Sequence, residues 1–515
     1  MKKLSKFFKF LVIIAPFLLF FSYFPIISLG ATGSMNFELS LPLLWLVLFN
    51  LVAFILMVRK KLLFCDIKKK WLWLLFPLWL SVTIFWSLNF IRGLLVVGIL
   101  WLLYFAGYAV WSLRGLFDSE FRRKFWRWFF GASLVVCFWC ISQCILDLVG
   151  VSKEYSLMCE GCTYGMFGFP HPNGFAIEPQ FMGNLLLAPA IIAAWLFSKK
   201  QNSVNLERKP SRGDNFYNRS VGAHTKFQFR DLLRDCCKNH SGSGFLCSKF
   251  TLFCFFIIVT TLFLTFSRGA VYSLVVGLVF MTAYVLVQER KMRKKIAKRV
   301  GLVWGVVVLS FLLVLNLQGL MAEVSPTNDT YKTGVAKVLN HLSLGVIDIR
   351  EGEPVSEETY APELEITGVE DSSLPEKSAF DGYVTESTDT RVRLTGAAIE
   401  VWSKDFITML FGVGLGGAGQ ALYVNGLTSS PKEIVQNQYA SLLLETGIVG
   451  VVLMILSLIL IIRTVIRSQL SGGILALIVA YLISLCFFAG LPNALHIYLL
   501  PVMLMAIVDK KALKR

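Results

Sequence analysis

Residues 249–288 read KFTLFCFFIIVTTLFLTFSRGAVYSLVVGLVFMTAYVLVQ, and this stretch decides the fold class. It contains two apolar runs that are separated only by the short segment SRGA at 267–270. Each run has roughly the 20 residues that an α-helix needs to cross the hydrocarbon core of a bilayer. We therefore predict two consecutive membrane-spanning helices, joined by a tight turn that contains Arg268.

Similar apolar runs recur along the whole chain of 515 residues. Hydrophobic residues make up 56% of the sequence and charged residues only 16%, and the mean hydropathy is +0.65. This composition excludes a soluble globular enzyme, a disordered protein and a fibrous protein. The predicted fold class is an all-α polytopic membrane protein. We place about twelve transmembrane helices at 10–29, 40–58, 71–87, 93–113, 128–149, 181–198, 249–267, 270–288, 301–320, 437–462, 470–489 and 494–508.

The distribution of charge predicts the orientation of the chain. The net charge is +17, yet residues 321–435 are acidic on balance. Basic residues concentrate in every second connection between predicted spans, as they do in cytoplasmic loops. We predict that both termini and the basic loop 199–248 face the cytoplasm and that residues 321–436 face the outside. Because the basic residues follow this alternation, we expect no binding to nucleic acid.

The spans and loops predict three parts of the chain. Residues 1–320 form a membrane bundle with spans 1–9, residues 321–436 form a large extracytoplasmic acidic loop, and residues 437–515 form spans 10–12. The first apolar run is longer than the core of a typical signal peptide and no A-x-A site follows it, so we interpret it as a retained span. The segment CEGC at 159–162 is predicted to lie outside, where a disulfide is allowed, and the sequence leaves its formation open.

Three arginines stand on the predicted outer side of the membrane. Arg268 is a cation where the positive-inside bias expects none. It either extends to lipid headgroups or binds an anion such as a diphosphate. Arg391 and Arg393 follow an acidic stretch. They either form local ion pairs with Glu386 or Asp389, or one of them converges with Arg268 on the same anion.

Further candidates stand in the outer segments. Glu178 is located where an outer loop enters span six, and it is either a charge favoured by the helix dipole or a sugar ligand or base. His171 lies in the same loop. Gly414 belongs to FGVGLGGAG, which lacks the strand and the βαβ unit of a dinucleotide loop. We predict a tight turn there, beneath a substrate chamber, whose N–H groups can approach an oxyanion.

The mouth of span ten carries Gln436, Asn437 and Tyr439, and Glu445 follows about two turns further on. Polar groups at such a depth must find partners. No pair of carboxylates in the sequence marks a metal site.

Several short segments occur in one order along the chain. They are Trp86-Ser87 at the end of span three, EPQFMG at 178–183, SRGA at 267–270, Arg391 followed by AAIE at 397–400 and GVGLG at 412–416, and QNQYASLLLETGIVG at 436–450. Together these segments resemble the bacterial O-antigen ligase and O-antigen polymerase superfamily. Members of that superfamily are membrane glycosyltransferases that use undecaprenyl-diphosphate-linked sugars.

The resemblance implies a GT-C-like helical bundle with a large outer loop between spans 9 and 10. It also implies that Arg268 and Arg391 hold the diphosphate while an acceptor hydroxyl attacks the anomeric carbon. The implied catalytic residues are Arg268, Arg391 and Glu178, and the implied substrate-binding residues are Arg393, Gln436, Asn437, Tyr439, His171 and Gly414. Neither a metal nor a cofactor is expected. The expected partners are an undecaprenyl-diphosphate-linked glycan, membrane lipid, and a chain-length regulator or flippase of the same pathway.

Two departures from the superfamily pattern affect the expected activity. Ligases carry a histidine at the position of Gln436, and an amide cannot accept a proton near neutral pH. Thr395 stands where a tryptophan is expected. We therefore favour polymerisation of lipid-linked repeat units at the outer face of the bacterial plasma membrane. The alternatives are ligase-like transfer to a lipid or protein acceptor, and a lipid-linked oligosaccharide transporter, which would place its charges near the bilayer midplane.

Overall fold

The computed structural model describes residues 2–21, 26–32, 35–62, 71–159, 162–163, 169–199, 244–288, 293–324, 330–344, 347, 380–466, 471–487, 489 and 495–508. Most of the loop that is predicted to be cytoplasmic, 199–248, lies outside the described residues, and so does most of the stretch between 345 and 379.

The described residues are mostly helical. The first part of the chain contains α1 (Lys2–Phe20), β1 (Ile26–Thr32), β2 (Met35–Ser40), α2 (Leu41–Arg59), α3 (Leu75–Thr83), α4 (Phe90–Ser112), α5 (Ser119–Leu148), α6 (Lys153–Ser156) and α7 (Pro179–Lys199). Short 3₁₀ turns occur at Trp71–Leu74, Ile84–Trp86 and Arg114–Leu116.

The second part continues with α8 (Gly244–Leu264), α9 (Arg268–Gln288), α10 (Arg293–Val324), α11 (Tyr331–Leu342), α12 (Phe380–Trp402), α13 (Phe406–Phe411), α14 (Ala418–Val424), α15 (Gln438–Ile466), α16 (Ser471–Ser484) and α17 (Leu495–Val508).

Polar side chains fix the starts of several helices. Asn89 accepts a hydrogen bond from the Arg92 N–H at the start of α4, and Asp118 accepts one from the Phe121 N–H at the start of α5. Thr330 caps α11 in the same way through the Thr333 N–H. These caps satisfy N–H groups that the helix itself leaves without a bond.

Seven helices of the described part are long and apolar enough to cross a membrane, and this finding confirms a polytopic helical membrane protein. They include α2, α4 and α7 and the two longest helices, α10 and α5. Shorter apolar helices lie at Trp71–Trp86, Phe250–Leu264 and Gly472–Ser484. The number of spans, about twelve, remains a prediction.

Helix α7 lies at the centre of the bundle, because the whole of its membrane-spanning window is buried. It packs against α8, α9 and α16, and α9 also packs along α16. These four helices therefore form the core that carries the turn with Arg268. By contrast, only a small part of the spanning window of α15 is buried, so this helix lies at the periphery of the bundle.

The start of the chain differs from the predicted first span at 10–29. Helix α1 begins already at Lys2 and ends at Phe20, and residues 26–32 form β1 instead. Strand β1 pairs antiparallel with β2, from Ile26 opposite Ser40 to Thr32 opposite Met35. The physical reason is that β-branched residues such as Ile26 and Ile27 favour strands, and Pro25 disfavours a helical residue before it. The hairpin was not predicted, because the apolar run suggested a continuous helix.

Candidate functional site

Arg268 is the first residue of α9 and is buried, with 4% of its surface exposed. The turn before it contains Phe266 in a left-handed conformation, with φ at 47°. Ser267 precedes α9 and caps it: its carbonyl accepts the Val271 N–H at 2.9 Å, and its hydroxyl accepts the Ala270 N–H at 3.4 Å. The segment SRGA therefore places a helix cap and a cation together at the N-terminus of α9, where the first N–H groups have no partner within the helix.

The segments EPQFMG and SRGA meet in space. A Cβ atom added to Gly183 would lie 2.8 Å from the Cβ atoms of both Ser267 and Ala270. Because only glycine leaves room for this approach, the start of α7 packs directly against the turn that carries Arg268.

Helix α12 brings Arg268 and Arg391 to one place. The Nη1 atom of Arg268 donates a hydrogen bond to the Thr388 hydroxyl at 3.0 Å. Three residues later on α12, the Nε atom of Arg391 donates to the Gln436 side-chain oxygen at 2.7 Å. Residues three apart on a helix are neighbours on its surface. Two guanidinium groups from distant parts of the chain therefore stand next to the same helix face, as an anion with several oxygens requires.

The three residues at the mouth of span ten have different roles. Gln436 contacts Arg391, as described above. Asn437 caps α15, because its side-chain oxygen accepts the Tyr439 N–H at 3.0 Å and the Ala440 N–H at 3.2 Å. The Tyr439 hydroxyl donates to the Leu482 carbonyl of α16 at 2.7 Å. Asn437 and Tyr439 thus hold the start of α15 in place, and their predicted contact with substrate stays a prediction.

Four rings pack together close to Arg268: Phe169, His171, Phe266 and His341. We call this cluster the aromatic box. The ring centroids of Phe169 and Phe266 are 4.6 Å apart, and those of the two histidines are 5.6 Å apart. The Nε2 atom of His341 lies 2.9 Å from the Phe266 carbonyl oxygen. His171 was a predicted site residue, whereas His341 was not.

Both histidines of the aromatic box are electrically neutral near neutral pH. Burial, together with the positive charges of Arg268 and Arg391, lowers the pKa of His341 to about 3, although the hydrogen bond to Phe266 acts in the opposite direction. Burial, followed by His341 and Arg268, also holds the pKa of His171 well below its usual value. The burial of the two imidazoles and the nearby arginines therefore both favour the uncharged form of these histidines.

A disulfide between Cys159 and Cys162 supports the segment with His171. The Cys162 carbonyl accepts the His171 N–H at 2.8 Å. The Cys159 N–H donates to the Asn173 side chain at 3.2 Å, and Gln143 donates to the Gly174 carbonyl at 3.2 Å. The segment 171–174 is therefore attached both to the disulfide turn at Cys159 and Cys162 and to Gln143 of α5.

We expect the change Cys159→Ser with Cys162→Ser to lower the stability of the protein. Closing a loop of this length is worth about 2 kcal/mol in the chain-entropy account of disulfides. Thermal unfolding of the purified protein should shift downward by a few degrees. Alkylation followed by mass spectrometry gives the control: in the unchanged protein both thiols should react only after reduction. Full alkylation without a reductant would contradict the prediction.

Two other predicted site residues, Glu178 and Arg393, are exposed, whereas Arg268 is buried. Glu178 is exposed just before Pro179, the first residue of α7, and accepts a hydrogen bond from Gln180 at 2.8 Å. Arg393 is exposed, and it is two positions from Arg391, so it lies on a different face of α12. The hydrogen bonds from Arg268 to Thr388 and from Arg391 to Gln436 involve neither Glu178 nor Arg393, and the predicted roles of these two residues stay predictions.

Gly414 belongs to the glycine-rich loop, residues 412–417, which forms a tight turn between the C-terminal end of α3 and the start of α15. Its N–H donates to the Glu445 carbonyl at 3.0 Å, and a Cβ there would lie 2.3 Å from the Ser87 Cα. The Trp86 indole donates to the Gly412 carbonyl at 3.2 Å. The N–H of Gly414 is thus engaged with protein, and its predicted contact with substrate stays a prediction.

In the described ranges, no group of three or more His, Cys, Asp or Glu side chains is placed so that it could hold a metal ion.

The fold and the paired arginines define a multi-pass helical membrane protein with an anion-binding candidate site. Residues 253–455 match the model of the O-antigen ligase family. This match confirms the resemblance to the O-antigen ligase and polymerase superfamily, and it includes Arg268, Arg391 and Gln436 but neither His171 nor Glu178. A comparison with curated proteins gives no match.

Proposed function

We propose that this protein polymerises undecaprenyl-diphosphate-linked oligosaccharide repeat units at the outer face of the bacterial plasma membrane, with both termini in the cytoplasm. The observation that carries the proposal is the pair of hydrogen bonds from Arg268 to Thr388 and from Arg391 to Gln436, on one face of α12. A lipid diphosphate is an anion of the size and charge that two such guanidinium groups can hold together.

The reaction requires little beyond placement and charge stabilisation. An acceptor hydroxyl on one lipid-linked glycan attacks the anomeric carbon of a second. The bond from that carbon to the diphosphate breaks, and undecaprenyl diphosphate leaves with the bonding electrons, while the hydroxyl proton passes to Glu178 or, without a base, to water. Arg268 and Arg391 stabilise the negative charge that develops on the leaving group, and such stabilisation in a buried site is a large catalytic contribution.

Gln436 supports polymerisation over ligation. Its side-chain oxygen accepts a hydrogen bond from Arg391, and an amide cannot act as a base near neutral pH. Ligase-like transfer to a lipid or protein acceptor is the second candidate, and it is favoured by the description of the matched family as O-antigen ligase. A chain-length regulator or a flippase of the same pathway is the expected protein partner.

Reconstitution tests the proposal. The protein is placed in liposomes with the lipid-linked repeat unit extracted from host cells that lack its gene, and the products are analysed by mass spectrometry. A ladder of glycans that grows by one repeat unit, with release of undecaprenyl diphosphate, is the expected result. Transfer only after addition of lipid A-core would favour the ligase alternative. Absence of both products with correctly folded protein would refute glycan transfer.

Glu178→Gln tests whether this carboxylate acts as a base. If it does, chain extension should fall by about tenfold or more, while single repeat units stay on the lipid carrier. Glu400→Gln, which removes an exposed carboxylate from α12, is the matched control and should leave chain length unchanged. Wild-type polymer length in Glu178→Gln, at equal protein level, would leave Glu178 only its role as a charge at the start of α7.

A further inference from the structure

Helix α11 is attached to the segment around Arg268 at two points. The His341 ring bonds to the Phe266 carbonyl at 2.9 Å, and the Tyr272 hydroxyl donates to the Leu342 carbonyl at 2.7 Å. A carbonyl oxygen only accepts hydrogen bonds, so the Nε2 atom of His341 carries the proton. One bond lies before Arg268 in the chain and the other lies one helical turn after it.

The turn before Arg268 needs such support. A left-handed conformation at a bulky residue such as Phe266 is unfavourable, and it persists only where the surrounding structure imposes it. The hydrogen bond from His341 fixes the carbonyl of this residue. The rings of Phe169 and His171 enclose its side chain, with centroids 4.6 and 5.3 Å away. His341 therefore acts on the backbone of the residue two positions before Arg268.

Helix α11 is itself firmly placed, so it can serve as a support. Tyr331 at its start donates to the Asn316 side chain of α10 at 2.7 Å. A Cβ added to Gly334 would lie 2.6 Å from the Ala322 Cβ, so the two helices are in close contact. The position of His341 is thus fixed by α10, which lies outside the site.

We infer that His341 is a positioning residue that holds the turn between α8 and α9 in the conformation that aims Arg268 at the site. This inference rests on the proposed function in so far as Arg268 binds the diphosphate. His341 is buried, and its imidazole is a poor proton acceptor near neutral pH because its pKa is about 3. A role in placement agrees with this environment, and a role as a base does not.

Two substitutions of His341 with side chains of nearly equal shape distinguish the effect of its hydrogen bond from the effect of its packing. Glutamine places an N–H donor close to the position of the histidine Nε2, whereas methionine has a similar length and no donor. In His341→Met we expect transfer of repeat units to fall by about tenfold, while His341→Gln should stay within about threefold of the unchanged protein. The activity of His341→Gln should also keep its pH profile between about pH 5 and 8, because neither side chain titrates there.

Hydrogen–deuterium exchange measures the turn without any substrate. Amide exchange in residues 265–272 should be about fivefold faster in His341→Met than in His341→Gln, with unchanged exchange in α7. Arg268 should also react faster with phenylglyoxal in the methionine variant. These two measurements test whether His341 positions the turn and Arg268 without any need for glycan transfer. A failure of the proposed function can therefore be distinguished from a failure of this inference.

Three outcomes would overturn the inference. Unchanged exchange and unchanged phenylglyoxal reactivity in His341→Met would show that the hydrogen bond does not hold the turn. Equal loss of transfer in both variants would show that the imidazole itself is required. Faster exchange throughout the protein in His341→Met, with normal exchange in His341→Gln, would show a general contribution to stability instead of local positioning.

Discussion

Replacement of Arg268 by alanine should abolish most glycan transfer, with a loss of about 100-fold to 1000-fold in kcat, as for removal of one group that stabilises charge in a transition state. The guanidinium is buried and bonded to Thr388, so no solvent cation can take its place easily. Arg268→Lys keeps the charge and loses the planar pair of donors, so it should retain a measurable part of the activity. The measurement is the rate of chain extension with the lipid-linked repeat unit in liposomes.

The controls for the Arg268 variants are the amount of protein and its folding. Each variant is compared at equal protein level and with its thermal unfolding curve, since removal of a buried side chain also costs stability. Activity of Arg268→Ala equal to that of the unchanged protein would remove the arginine from the mechanism. Complete loss in both variants, with normal unfolding curves, would show that the geometry of the guanidinium matters more than its charge.

Arg391→Ala should lower chain extension by about 100-fold, whereas Arg393→Ala should lower it by less than about threefold. The two residues are matched controls, because each change removes one positive charge from the same helix. They differ in their surroundings: Arg391 bonds to Gln436 and lies on the same face as Thr388, while Arg393 is exposed on a different face. Rates of both variants at low and high salt should therefore distinguish a direct contact of Arg391 with the diphosphate from a general electrostatic attraction of this anion to α12.

Equal losses in the two α12 variants at low salt, which disappear at high salt, would contradict a specific contact of Arg391. They would indicate that the helix only attracts the diphosphate by its net charge. Gln436→Ala provides a further check, since it removes the partner of Arg391 without a change of charge. We expect an intermediate loss for it, because Arg391 then lacks the bond that orients its side chain.

The membrane-spanning helices could be predicted because length and hydropathy are local properties of the sequence. Arg268 could be selected as a candidate from the sequence, since a cation on the predicted outer side departs from the charge bias of the loops. His341 could not be found in this way: its partner Phe266 is 75 residues away, and an isolated histidine in a polar loop carries no signal. The amphipathic run 331–342 was the one available indication, because it predicts a helix that packs on its apolar side.

The roles of the other predicted residues depended on contacts that a sequence does not contain. Asn437 has the side chain of a sugar ligand and also of a helix cap, and the structure shows the cap. Gly414 has the pattern of an anion-binding loop, but its N–H bonds to the Glu445 carbonyl across the fold. The hairpin of β1 and β2 was missed because apolar residues alone do not distinguish a strand from a helix.

Movement inside the protein is restricted where the glycine-rich loop meets α15. Gly447 interrupts this helix with φ at 65°, and a Cβ there would lie 2.2 Å from the Leu410 carbonyl oxygen. Gly414 touches the Ser87 backbone just as closely. Backbones in such close contact resist sliding past each other, so we expect α13, the C-terminal end of α3 and the start of α15 to move together. The Tyr439 hydroxyl also bonds the start of α15 to the Leu482 carbonyl of α16, so these segments are attached to the central helices on that side.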